Sequence, residues 1–199
     1  MIDQQHPLVL GSASPRRREL LGLVGIPVTV VAAPVDERVG EGEEPAAYLQ
    51  RIVAVKLAAA RQASLSLASP GVLVADTIVL LDGEVLGKPE NREVGAAMLT
   101  RLSGRAHEVR TRFALRAAAG LEHAQTVSTA VFFRQLSADE IARYAASGDG
   151  LDKAGGYAIQ GLGSFAVTRI EGSYANVVGL PVCEVVVALK RLGLLSQFP

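Results

Sequence analysis

Leu8-Val9-Leu10-Gly11-Ser12-Ala13-Ser14-Pro15-Arg16-Arg17-Arg18-Glu19-Leu20-Leu21 reads as a short buried strand running directly into a helix. The apolar triplet stops at Gly11, and two serines follow. Ser14 is a good N-cap, and Pro15 suits the first helical position, where its missing N–H costs nothing. Arg16, Arg17 and Arg18 then fall in the first turn, where the helix dipole already places positive charge. Three cations there repel the dipole and each other unless an anion sits among them. Backbone N–H groups, the hydroxyls of Ser12 and Ser14, and guanidinium forks together describe a polyphosphate clamp. An arginine triplet on its own reads as a solvated basic patch; the strand-Ser-x-Ser-Pro context favours the clamp.

Outward from this stretch, strands and helices alternate. Val28–Ala33 reads as a strand, and a polar loop Asp36–Glu44 follows. Pro45 to about Ala63 reads as a long helix. Val72–Leu81 is a strongly apolar strand closed by the hairpin signal Asp82-Gly83, with Val85–Leu86 as its return. Asn91–Leu102 reads as a helix. His107–Leu115 and Thr126–Phe133 read as two longer strands around a turn at Ala119-Gly120. Ser137-Ala138-Asp139-Glu140 is a capping box that opens a helix to about Ala146. Gly148–Gly163 reads as loop and short turns, Phe165–Ile170 as a strand, and Pro181–Leu192 as a closing amphipathic helix. The pattern predicts an α/β fold with a mixed sheet, in one domain spanning residues 1–199.

Composition excludes several classes. Lys plus Arg equals Asp plus Glu, 20 each, so no net field favours nucleic acid or an anionic membrane. The positive charge is local, which suits a small anionic ligand. Cys183 is the only cysteine, so no intrachain disulfide is available and a reducing cytoplasm fits. No targeting segment and no membrane-spanning run is legible. The expectation is a soluble cytoplasmic protein.

Charged residues in apolar settings are the next signal. Asp76 sits in the middle of Val72–Leu81, whose two faces are both apolar. A carboxylate there is costly unless paired or bound to metal. Lys56 follows Ile52 by four residues on the apolar face of its helix, where a lysine ordinarily snorkels. Lys88, in Gly87-Lys88-Pro89, reads as a turn lysine or as a second cation for a polyphosphate. Gly83–Lys88 is not a Walker loop, because its glycines are too close and Pro89 replaces the Ser/Thr. Asp152 and Lys153 read equally as a local salt bridge and as substrate contacts. His6, His107 and His123 lack zinc spacing, and Ser12 and Ser14 lack a nucleophile elbow.

Six ordered blocks resemble the Maf family, nucleoside triphosphate pyrophosphatases also described as septum formation inhibitors. They are Gly11–Leu21, Ala75–Val79, Gly87–Pro89, Leu102–Val109, Asp152–Gly161 and Val178–Pro181. The resemblance implies two lobes around a central cleft, similar to the inosine triphosphatase-like fold. It implies Asp76 as proton acceptor, Glu37 facing the active site, and phosphate contacts from Arg17, Lys56 and Lys88. With carboxylates for a hard metal and cations for a polyphosphate, Mg²⁺ or Mn²⁺ bridging Asp76, Glu37 and the triphosphate is expected. The resemblance implies that water then attacks the α-phosphorus, releasing a nucleoside monophosphate and pyrophosphate. Subgroups of the family differ at three positions, and Arg16, Thr77 and Gln160 are similar to the dTTP/UTP type. Two alternatives stand beside this reading: a 7-methyl-GTP pyrophosphatase, and a nucleotide-binding septum regulator with little turnover. The resemblance also suggests a homodimer, although no exposed apolar patch is identifiable from sequence.

Overall fold

A computed structural model describes residues 1–196 and 198. The elements follow in the order β1 (Leu8–Leu10), α1 (Pro15–Leu23), β2 (Val28–Val30), α2 (Pro45–Ala63), β3 (Gly71–Leu81), β4 (Glu84–Leu86), α3 (Arg92–Leu102), β5 (Ala106–Ala117), β6 (Glu122–Phe133), α4 (Ala138–Ser147), β7 (Val167–Glu171), α5 (Tyr174–Val178) and α6 (Val182–Arg191). Among the described residues the strands form one seven-stranded sheet in the order β2-β1-β3-β5-β6-β7, with β4 paired to β3. β1 pairs in parallel with β2 and β3, whereas β3–β4 and β6–β7 are antiparallel. The expected mixed sheet is therefore present. The β3–β4 turn is made by Asp82 and Gly83 with φ of 54° and 83°, the two positive angles that a tight hairpin demands.

The chain divides into two compact units. The first comprises Met1–Asp76, Thr111–Val127 and Gly179–Pro199; the second comprises Thr77–Arg110 and Ser128–Val178. In the first, β1 is wholly buried, and Leu21, Leu49, Ile52, Leu73 and Phe113 are at most 1% exposed. A Cβ at Gly11 would meet Ala60 Cβ at 2.5 Å and Val74 Cγ1 at 2.7 Å. Only glycine lets the chain leave β1 this close to α2 and β3.

In the second unit, Leu86, Leu99, Leu102, Val131, Phe133 and Tyr157 belong to one buried cluster. His107 lies inside it, 4% exposed, with Nε2 2.7 Å from the Tyr157 hydroxyl and its ring edge-on to Phe133. Burial pushes the imidazole down from 6.5 to about 4. The folded state therefore binds fewer protons than the unfolded state between these values, and stability falls as pH drops through that window. The expected slope from His107 is about 1.4 kcal/mol per pH unit. Urea unfolding of wild type and His107→Gln at pH 7, 6 and 5 measures it; parallel curves would remove His107 as the source.

Local chemistry explains where the elements depart from expectation. The β2 ladder stops at Val30 and does not reach Ala33. Gly161–Ala166 coils into 3₁₀ turns, so β7 begins at Val167 and not at Phe165. Helix α5 has no counterpart in the sequence reading; Ser173 Oγ accepts from Asn176 N at 3.2 Å near its start, the hydroxyl cap that a helix start favours. The capping box of α4 is complete, with Ser137 and Glu140 bonding reciprocally. Ser14 has the extended backbone of an N-cap, but its side chain makes no capping bond.

Candidate active site

Arg17, Leu20 and Leu21 are the buried residues of α1. The spacing i, i+3, i+4 puts the guanidinium on the inward face of the helix. Its Nε donates to Gly179 O at 2.8 Å, and its Nη1 donates to Ala75 O at 2.7 Å and to Ser12 Oγ at 3.0 Å. Burial pushes Arg17 down from its ordinary value, while the charges of Asp76 and Glu37 pull it back up. Arg17 thus ties three segments together: the signature loop, the strand residue before Asp76, and the turn at Gly179. Gly179 has φ of 130°, a backbone that favours glycine.

Asp76 is 8% exposed in the middle of β3. Its counter-ion comes from α2, where Tyr48, Ile52 and Lys56 recur every four residues on one face. Lys56 Nζ lies 2.5 Å from Asp76 Oδ1 and 2.6 Å from Glu37 Oε1. One ammonium therefore holds two carboxylates from different segments. The loop carrying Glu37 is fastened to the same helix. Tyr48 Oη donates to Glu37 O at 3.1 Å, Arg51 Nη2 donates to Arg38 O at 3.0 Å, and Arg51 pairs with Glu43 at 2.6 Å. Burial raises the Tyr48 phenol, and the charges of Asp76 and Glu37 raise it further, so it stays a neutral donor.

Of the residues expected at the site, Ser12, Ser14, Arg16, Arg17, Glu37, Lys56 and Asp76 all belong to the first unit. Within it, direct contacts join Ser12 to Arg17, and Lys56 to both Asp76 and Glu37. Arg16 and Ser14 are half-buried. Thr77, Lys88 and Gln160 belong to the second unit. Thr77 follows Asp76 in β3, Lys88 is exposed just after β4, and Gln160 is half-buried just ahead of the 3₁₀ turns. In that unit Gly155 N donates to Gly87 O at 3.0 Å, which fastens the Gly-rich loop to the turn that carries Lys88. Lys153 pairs with Asp152 at 2.6 Å, the local salt bridge.

Residues 7–192 match the family described as Maf-like protein. The chain belongs to the Maf-like protein family. The Maf-like chain is 52% identical to the dTTP/UTP pyrophosphatase of Myxococcus xanthus over 198 residues, covering 98% of this chain and 96% of that one. It is 47% identical to the dTTP/UTP pyrophosphatase of Hahella chejuensis over 187 residues, covering 94% and 92%. Among solved structures, the nucleoside-triphosphatase / dITP/XTP pyrophosphatase of Mycobacterium abscessus aligns over 96% of this chain and 98% of its own. That alignment has 14% identity and a TM-score of 0.43.

The Maf-like chain offers a hard cation the oxygens of Asp76 and Glu37, already converged on one positive centre. Two carboxylates completed by substrate phosphates are a donor set that suits Mg²⁺. Among the described residues, no group of three or more His, Cys, Asp or Glu gathers into a closed cage. Among the same residues, no helix is long and apolar enough to cross a membrane. Tyr48 and Arg51, which hold the Glu37 loop, were missed from sequence. Their spacing of three on a helix face carried no sign that a loop would dock there.

Proposed function

We propose that this chain hydrolyses dTTP and UTP to the nucleoside monophosphate and pyrophosphate with a divalent cation, Mg²⁺ or Mn²⁺. The observation that carries the reading is the buried Asp76 carboxylate held beside Glu37 by Lys56. The names of the curated relatives support the same substrates. In this reading Asp76 accepts a proton from the attacking water, and Asp76 with Glu37 holds the cation. The cation, when bound, neutralises phosphate charge and lowers the barrier to attack. Ser12, Ser14, Arg17, Lys56 and Lys88 bind the phosphates and stabilise the charge that builds on the leaving pyrophosphate. Arg16, Thr77 and Gln160 select the base, since a neutral pyrimidine edge suits amide and hydroxyl partners. The two units serve as one functional domain.

Purified protein with Mg²⁺ or Mn²⁺ and a nucleotide panel tests this. Pyrophosphate release from dTTP and UTP above that from 7-methyl-GTP is expected. Preference for 7-methyl-GTP would reassign the substrate, and no release from folded protein would favour a binding role. Gln160→Glu is expected to lower kcat/KM for dTTP and UTP by about tenfold, because a carboxylate can accept hydrogen bonds but not donate them. Unchanged selectivity would take Gln160 out of base recognition.

A further inference from the structure

The Lys56 ammonium stands where both candidate metal ligands converge. Its nitrogen is 2.5 Å from Asp76 Oδ1 and 2.6 Å from Glu37 Oε1. A magnesium ion held by these two carboxylates would sit at about 2.0–2.1 Å from their oxygens, inside the gap the ammonium now bridges. An ammonium and a divalent ion drawn to the same two carboxylates repel each other at that range. We propose that Lys56 and the divalent cation compete for the same two carboxylates, so that Lys56 must release Asp76 and Glu37 for the metal to bind and is then free to pair with the triphosphate. This rests on the function proposed above, with Asp76 and Glu37 as the metal's carboxylates.

Charge and tether support the exchange. Asp76 and Glu37 are two carboxylates, and the Lys56 ammonium lies within hydrogen-bond distance of both. Arg17 feels both carboxylates, but its Nε and Nη1 are committed to main-chain carbonyls and Ser12. Lys56 is the cation that can move, because its ammonium ends a flexible four-carbon stem and needs no planar fork geometry. A divalent ion that takes both carboxylates leaves Lys56 without the two partners it holds here, and substrate phosphate offers it new ones. Lys56 thus keeps a buried carboxylate paired and afterwards becomes a phosphate ligand. The same residue also sets a threshold on metal affinity.

The test uses Mn²⁺ alone, without nucleotide, on the full chain. Titration calorimetry or the Mn²⁺ spin-resonance signal compares wild type, Lys56→Gln and Asp76→Asn. Lys56→Gln is expected to bind Mn²⁺ at least about tenfold more tightly than wild type, since the metal no longer displaces a charge-assisted hydrogen bond. A second measurement needs no variant. Acylation of Lys56 in wild type, read by peptide mass spectrometry against Lys88, Lys153 and Lys190, should accelerate when Mn²⁺ is added. Equal or weaker Mn²⁺ binding by Lys56→Gln, or Lys56 acylation unmoved by Mn²⁺, overturns the competition. If Asp76→Asn has meanwhile lost Mn²⁺, the proposed function survives that failure. If Asp76→Asn binds Mn²⁺ like wild type, Asp76 is not a metal ligand, and both readings fall together.

Discussion

Asp76→Asn is expected to lower kcat for dTTP by about 10²–10⁴-fold, the range that removal of a positioned general base produces. The substitution keeps the shape of the side chain and removes its charge and basicity. It also takes away half of the carboxylate pair that faces Lys56. Lys56 keeps Glu37 at 2.6 Å, so the ammonium is not stranded, and the amide oxygen introduced by the substitution can still accept from it. A folded protein with little activity follows. Circular dichroism and a urea midpoint check the fold, and steady-state pyrophosphate release checks the rate. Turnover within about threefold of wild type, under 1 kcal/mol in barrier height, would dismiss Asp76 as the base.

Arg17→Ala is expected to be the more damaging change to stability. The guanidinium is buried and donates to two main-chain carbonyls 58 and 162 residues away along the chain. Each buried carbonyl left without a donor costs about 1–3 kcal/mol. Removing Arg17 also relieves its own desolvation, visible as the downward push on its ionisation. The net loss expected is about 2–5 kcal/mol. Arg17→Lys should recover only part of it, because one ammonium on a flexible stem does not reproduce the fork that spans Ala75 and Gly179. Activity should fall as well, since Ala75 is the residue that precedes Asp76. Equilibrium urea unfolding decides the matter: a loss below about 0.5 kcal/mol, the scale of ordinary surface substitutions, would mean that Arg17 bears no such load.

The arginine triplet shows how far local reading reaches. That a helix starts at Pro15 after a buried strand follows from neighbours in the chain, and it is so. Which of the three arginines turns inward depends on the phase of the helix, and Leu20 and Leu21 already set that phase. What Arg17 meets was not legible. Gly179 lies in the Val178–Pro181 block, where neighbouring residues give no sign of a contact to Arg17, and it adopts a positive φ of 130°. Lys56 gives the complementary case. Its apolar face announced burial, and snorkelling was the ordinary reading for a lysine alone. Its 12% side-chain exposure and its two carboxylates come from the packing of α2 beside β3 and from a loop laced down by Tyr48 and Arg51.

Read alone, the chain determined the order of strands and helices except for the short helix α5, the tight hairpin at Asp82-Gly83, the α4 cap, the family, and the oddity of a carboxylate in the middle of an apolar strand. Those features depend on periodicity, caps and turn chemistry over a few residues. The tertiary structure decided that Asp76 and Glu37 share one ammonium, and that Nε and Nη1 of Arg17 reach distant carbonyls. Partnerships between residues tens to hundreds of positions apart depend on how sheet and helices pack, and no spacing rule along the chain encodes an ångström-scale distance across it.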